Sequence, residues 1–314
     1  MLRFHKHQMP RLLQELGLDN SGEVDGRWRV RDERGVVVNV YEPMELLVIF
    51  LARMATHNCW SQLIRFLGGR GASAYKHGFY FVLDHIHTQF NHTLSDISRY
   101  VGQADLFARA IHEKGAPAAH CIGFIDGTFR HCARPTEGQR HIYSGYYKGH
   151  DLKFQSVVGP NGMILDFYGP CPGRRGDGYL LRRSGFLTRM QQFCLTAGRH
   201  FYVYGDPAYA LSRWIMRGFK GVMTPEQRAF SKAMSSVREA VEWGFSLIVR
   251  DWAFVDYTKN LKIHKQPIAK LYFVAAIMTN VKTCMMAEEH DPYGNLISNF
   301  FGVSPPSLHD YLYG

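Results

Sequence analysis

The chain has 314 residues, of which 46% are hydrophobic and 20% charged, the proportions of a globular protein with ample material for a core. Its longest purely apolar run, Leu271–Met278, is too short to cross a bilayer, and its first ten residues, M-L-R-F-H-K-H-Q-M-P, hold no apolar signal-peptide core, so a soluble intracellular protein with no membrane partner is expected. Lys and Arg outnumber Asp and Glu by 37 to 27, a formal charge of +10 that favours polyanionic partners.

Residues 1–40 read as irregular and polar, with the charged alternation of Arg27–Arg34 marking a short strand or an exposed arm. Glu42-Pro43 opens a helix, because Pro suits a first helical turn, and Leu46, Leu47, Ile49, Phe50 and Met54 give it a buried face. Helices follow over Trp60–Leu67, over Ala72–Phe90 after the break at Gly68-Gly69-Arg70-Gly71, and over Leu94–Lys114. Two helices joined by a Gly-containing turn outline a helix-turn-helix, in which the second would enter a DNA groove; a plain helical hairpin has the same pattern. Lys76, near the turn, is the candidate DNA contact of that region. The small-residue stretch Gly115–Ala119 is a candidate domain boundary.

Beyond it the pattern becomes α/β. C-I-G-F-I-D-G-T-F-R at Cys121–Arg130 starts as a buried strand and then meets Asp126. A carboxylate set at the end of an apolar strand is costly without a cation or a donor, although an Asp-Gly turn would also account for it. An alternating strand in His150–Gly159, a tight turn at Pro160-Asn161-Gly162 and a third strand at Met163–Tyr168 follow. Gly169–Gly178 reads as a loop, Tyr179–Ala197 as a helix and Phe201–Gly205 as a fourth strand, with Asp206 at its end. A helix is expected near Leu211–Arg217, a long one from Thr224-Pro225 to about Val249, and an apolar one over Ile268–Met278 that ends near Thr279-Asn280. The tail after Glu288 reads as an extended segment packed on the surface.

This order, three antiparallel strands, a helix, a parallel strand and a final helix, is that of an RNase H-like layered domain. In that layout Asp126 and Asp206 end on neighbouring strands, and an acidic residue on the last helix makes a third ligand. Glu242 flanks the apolar stripe of Val241 and Phe245 and is the better candidate, although Glu239 is close enough in winding to compete and Arg238 could pair with Glu242 instead. Three carboxylates suit Mg²⁺ or Mn²⁺, which prefer oxygen, and two such ions about 4 Å apart can activate water and stabilise the leaving oxygen of a phosphodiester. Arg174, Arg175, Arg182, Arg183 and Arg189 on one side, and Lys148, His150 and Lys153 on the other, would line a track for the phosphates of double-stranded DNA. The six cysteines contain no C-x-x-C pair, which argues against a zinc module and for reduced, buried thiols.

F-I-D-G-T at 124–128, Y-G-D-P-A-Y at 204–209 and S-S-V-R-E-A-V-E-W-G-F at 235–245 resemble the three acidic motifs of the PIF/Harbinger superfamily of DDE transposases. Arg174-Arg175-Gly176-Asp177 stands where that family has a Gly-rich turn ending in His-Asp, with Gly176 in place of the His, and M-T-N at 278–280 resembles a Leu-His-Asn helix end. The resemblance covers residues 120–285, and 35 residues separate Asp206 from Glu242, a spacing familiar among DDE enzymes. It implies an N-terminal helix-turn-helix-like domain (1–119), an RNase H-like α/β catalytic domain (120–285) and a packed tail (286–314). It further implies a nuclear endonuclease or transposase whose Asp126, Asp206 and Glu242 hold two Mg²⁺ ions, Mn²⁺ substituting. A Myb-like DNA-binding partner often accompanies such proteins, and the arrangement allows a homodimer. The competing expectation is a domesticated, catalytically silent DNA-binding protein that keeps the transposase fold.

Overall fold

The computed structural model describes residues 2–19, 25–145, 148–258, 261–289 and 301–314, with backbone only for 240–243. The N-terminal part is mostly helical. Helix α1 (Met9–Glu15) is followed by a hairpin of β1 (Trp28–Arg31) and β2 (Val37–Tyr41), which adds a second strand to the arm expected near Arg27–Arg34. Then come α2 (Pro43–Ala55), α3 (Trp60–Leu67), α4 (Ala72–Phe90) and α5 (Ala104–Glu113), the last preceded by 3₁₀ turns where one continuous helix was expected.

Helix α4 is pinned on its apolar side. Tyr75, Phe79, Val82, Leu83, Ile86 and Phe90 are buried, and the helix packs on α2 and on the last long helix of the chain. Ser73 and Lys76, near its start, remain exposed. One apolar cluster runs from Met9 through these helices and the sheet to Leu312, so the two halves share their core.

The central sheet has the order β4–β5–β3–β7–β8, with β6 also paired to β5. Strand β3 (Cys121–His131) lies antiparallel to β5 (Gly149–Val158), which also pairs antiparallel with β6 (Ile164–Pro172) and with the short β4 (Tyr143–Ser144), itself preceded by a single-turn helix α6 (Gln139–Ile142). Helices α7 (Asp177–Ser184) and α8 (Phe186–Ala197) replace the single helix expected over 179–197. The break is Gly185, at φ +68°, a conformation that ends a helix at little cost only without a Cβ. Strand β7 (Tyr202–Gly205) is parallel to β3, as expected for the first and fourth strands. Residues 215–217, expected as a helix, instead form β8 (Ile215–Arg217), parallel to β7. Ser212 decides this locally: its Oγ accepts from the Trp214 and Ile215 amides, turning the chain so that the Trp214 carbonyl meets the Val203 amide at 3.0 Å.

Helix α9 (Pro225–Asp251) begins with a reciprocal cap. Thr224 Oγ accepts from the Gln227 amide, and the Gln227 side chain accepts from the Thr224 amide. Helices α9 and α10 (Ile268–Glu288) cover the sheet face that carries Phe154 and Val158, while α5 and α7 pack against the sheet with α7 over Lys153 and Gln155 on the opposite face. The expected extended tail falls partly outside the described residues; its described end is a short helix α11 (Leu308–Tyr313) docked on α1 and α10.

Helix α10 does not end at Thr279-Asn280. It runs a further two turns, long and apolar enough to span a bilayer by composition, but it is the buried core helix of this fold. Asn280, fully buried, acts as a side-chain bridge to the sheet: its Oδ1 accepts from the Ile164 amide at 2.9 Å and its Nδ2 donates to the Ile164 carbonyl at 2.8 Å and to the Tyr311 hydroxyl at 3.1 Å. A polar side chain inside a helix is tolerated here because it satisfies a strand end that has no other partner strand. Removing it strands two buried backbone groups, so Asn280→Ala should lower unfolding free energy by about 3 kcal/mol, measured by urea denaturation.

Candidate active site at the end of strand β7

The site follows from a difference in strand length. Strand β7 stops at Gly205, opposite Ile125, while β3 continues six residues further, to His131. Asp126 is therefore not at the end of its strand, as expected from Asp126-Gly127, but at the first position where β3 has lost its parallel neighbour. Asp206 leaves β7 at the same level. The two carboxylates come to adjacent positions because parallel register places them one residue beyond the Ile125–Gly205 pair.

Asp126 projects from the face covered by α9. Its Oδ1 accepts from the Gly127 amide at 2.8 Å, and its Oδ2 lies 3.3 Å from Nη1 of Arg238 on α9. Burial dominates its titration and pushes the carboxyl up to about 6; the Gly127 hydrogen bond and Arg238 act in the opposite sense, while Asp206 and Asp177 reinforce the rise. Asp206 is half-buried, closes an Asx turn with the Ala208 amide, and gives its carbonyl to the Tyr209 amide at 3.0 Å.

Position 242 lies one helical turn after Arg238, on the same face of α9 that reaches Asp126. The side chain of Glu242 is outside the described residues. Glu239 is offset in winding from that face and is exposed. Among the described residues, no three His, Cys, Asp or Glu side chains are close enough together to hold an ion. The donors that converge are nevertheless hard carboxylate oxygens, the chemistry that Mg²⁺ and Mn²⁺ select. Among the described residues, the buried hydroxyl of Ser156, directly across the β3–β5 ladder from Asp126, has no hydrogen-bond partner. The residues present thus fit a divalent cation in donor type.

On the opposite face of β3 sits Asp177, the last residue of the Arg174–Asp177 motif. Asp177, the first residue of α7, rests on Gly127 so closely that a Cβ there would lie 2.3 Å from its Oδ1, and the same oxygen is 2.7 Å from the Lys153 ammonium. Lys153 is 4% exposed and stacks 4.5 Å over Phe129. It is thus turned away from the open phosphate track expected of it. The alternation of β5 predicts a strand, and α7 packs on the face that carries Lys153 and Gln155, so that Asp151, Lys153 and Gln155 are all buried. Arg189 is likewise drawn inward, 2.6 Å from the buried Asp166. The remaining basic residues, Arg174, Arg175, Arg182, Arg183 and Lys148, are exposed, and Arg175 stacks over Tyr179 at 4.6 Å. The first two lead into Asp177; Lys76 stands apart, on α4. The signal for Asp177 was the bare Gly127 beside an acid.

Residues 125–280 match the DDE superfamily endonuclease family. The matched stretch opens at the Ile125–Asp126 step and closes on Asn280, so it contains both carboxylates, α9 and the sheet that aligns them. No curated protein and no solved structure matches the chain.

The elevated carboxyl of Asp126 has a consequence for stability. A carboxyl whose folded value lies above its unfolded one penalises the folded state once it ionises, so the penalty is present above about pH 6 and fades as the pH falls toward the ordinary carboxylate range. In EDTA, Asp126→Asn should be more stable than the parent by about 1–3 kcal/mol at pH 7.5, with the gain vanishing near pH 4. Thermal unfolding across that pH range checks both the sign and the window.

Proposed function

We propose that this protein is a metal-dependent DNA endonuclease of the transposase type, built on an RNase H-like catalytic domain, with Asp126, Asp206 and Glu242 as its catalytic carboxylates. The observation that carries the reading is the adjacency of Asp126 and Asp206 at the end of β7, within a stretch that matches an endonuclease family. Those three residues would hold Mg²⁺ or Mn²⁺, two ions in all. When bound, the ions supply an activated water and neutralise the charge that develops on the leaving oxygen. The Harbinger motifs, a nuclear location, a homodimer and a Myb-like partner that selects the DNA belong to the same reading.

The chain's own residues divide the remaining work. Asp126 is presented on a strand whose other neighbour, β5, is fully paired, so its backbone cannot drift. Arg238 holds one oxygen of that carboxylate and fixes the approach of α9. Asp177 and Lys153 brace β3 from behind. Arg174, Arg175, Arg182 and Arg183, all exposed, would grip the duplex backbone without reading its sequence, with Lys148 on the neighbouring loop. Helix α4 would add contacts through Lys76.

Incubation of the protein with labelled duplex and Mg²⁺ should give strand cleavage that EDTA abolishes. Asp126→Asn, Asp206→Asn and Glu242→Gln should each remove it while duplex binding persists, whereas Glu239→Gln should cleave as the parent does. Full activity in Asp126→Asn would contradict the mechanism. Duplex binding without cleavage by the parent protein would favour the domesticated, silent DNA-binding protein instead. Binding should also weaken steeply with salt, because cationic side chains release condensed counterions. Neutralising Arg174, Arg175, Arg182 and Arg183 together should flatten the slope of log K against log salt by about 3–4, and an unchanged slope would remove α7 from the DNA path.

A further inference from the structure

The end of the sheet remote from the carboxylates carries a second concentration of positive charge. The sequence sets it up: between Asp177 and Glu226 the one acidic residue is Asp206, against seven arginines and lysines. Two of the seven, Arg199 and Arg213, flank β7, where α5 brings Arg109 and His112 alongside. Two adjoining cavities of about 400 and 370 Å³ open there and share Arg199 as a wall. Arg109, His112 and His120 line the first, His200 and Arg213 the second, and all of them are exposed.

Packing fixes this arrangement. Parallel register pairs Cys121 with Tyr202, and the Tyr202 amide donates to the His120 carbonyl at 3.2 Å, so the residues that lead into β3 and β7 lie together. The buried ring of Phe201 is their floor: His120 meets it edge-on at 6.2 Å, and the Arg199 guanidinium lies 5.8 Å from its centre. His200 Nε2 donates to the Arg213 carbonyl at 2.8 Å and holds the second arginine's backbone beside the first. The charges are not spent on neighbours. Among the described residues Arg109 and Arg213 have no ion-pair partner, and Arg199 meets one acid, Asp105, in an exposed pair that contributes little to the fold. Guanidinium groups match phosphate oxygens in planar, two-bond fashion, and a row of them over two joined cavities suits a chain of phosphates rather than one anion.

We propose that this end of the sheet is a second site for the phosphates of duplex DNA, with Arg109, His112, Arg199 and Arg213 as its contacts. It rests on the reading of duplex DNA as the partner. The site is separate from the two already described. Asp126 lies five residues along β3 from Cys121, about 17 Å away, and the 12 residues of α8, about 18 Å, stand between Arg199 and α7. Asp105 holds Arg199 until a phosphate takes its place.

The test uses the full chain in EDTA, with a labelled duplex titrated at several salt concentrations. Combined Arg109→Gln, Arg199→Gln and Arg213→Gln should weaken Kd about 10-fold and lower the slope of log K against log salt by about 3. An unchanged slope overturns the proposal. Asp105→Asn should act in the opposite sense and bind about 2- to 5-fold tighter, because Arg199 is released. Should the triple variant fail to unfold cooperatively, Asp105→Asn decides: binding no tighter than the parent's overturns the proposal. Inorganic phosphate that raises the parent's Tm but not the triple variant's, with equal duplex binding by the two, would make this a small-anion site and also overturn it. If neutralising the four arginines around α7 weakens binding while the triple variant matches the parent, this site falls and the reading of the partner stands. If the parent binds no duplex, both fall.

Discussion

The parallel pairing of β3 with a shorter β7 is the constraint on which the rest of the structure depends. Register alone brings Asp126 and Asp206 to one level, and the length difference leaves both carboxylates at an open edge of an otherwise covered sheet. A carboxylate one residue earlier on β3 would lie at the buried Ile125 position and face the cost of an uncompensated charge. One residue later it would stand in place of Gly127, whose missing side chain makes room for Asp177. Position 126 is where a charge can be half-buried, held by one guanidinium, and still open to a ligand.

Two cations manage that acidic edge in different ways. Lys153 is buried with Asp177 on one face of β3, a pair that braces the strand and keeps its charge internal. Arg238 approaches from the other face and meets Asp126 directly, through a bond at 3.3 Å that is longer than a tight charge-assisted contact. Burial still wins over Arg238 and keeps the Asp126 carboxyl up at about 6. A carboxylate whose ionised form is under-compensated by the protein is suited to a further cation, and the Ser156 hydroxyl lies directly across the ladder from it.

Much of this was readable from residue order because the informative features are local. Helix starts at Pro43, Ala72 and Pro225, the turn at Asn161-Gly162 and the strand ending at Gly205 all carry their own signals of cap, break or alternation. The first two acidic motifs hold the positions, Asp126 and Asp206, that the register of β3 and β7 brings to one level. What was not readable depends on what covers what. The polar side chains of β5 look like a solvent face until α7 is laid over them, and so Lys153 resembles a phosphate contact in the sequence but is buried in the fold. Residues 215–217 form a strand only because β7 offers an edge to them. Asn280 resembles a helix end in isolation and is a bridge to Ile164 in the fold. Asp177 and Tyr209 were visible as letters, but only the missing side chains of Gly127 and Gly205 show how closely they approach β3.

A divalent cation is proposed to sit at the edge formed by Asp126 and Asp206. Crystals grown or soaked with Mn²⁺ and measured at a wavelength where manganese scatters anomalously test it most directly. An anomalous peak is expected within coordination distance of both the Asp126 and Asp206 carboxylates, with Arg238 withdrawn from Asp126. A peak confined to other residues, or none at a Mn²⁺ concentration that supports cleavage, would contradict it.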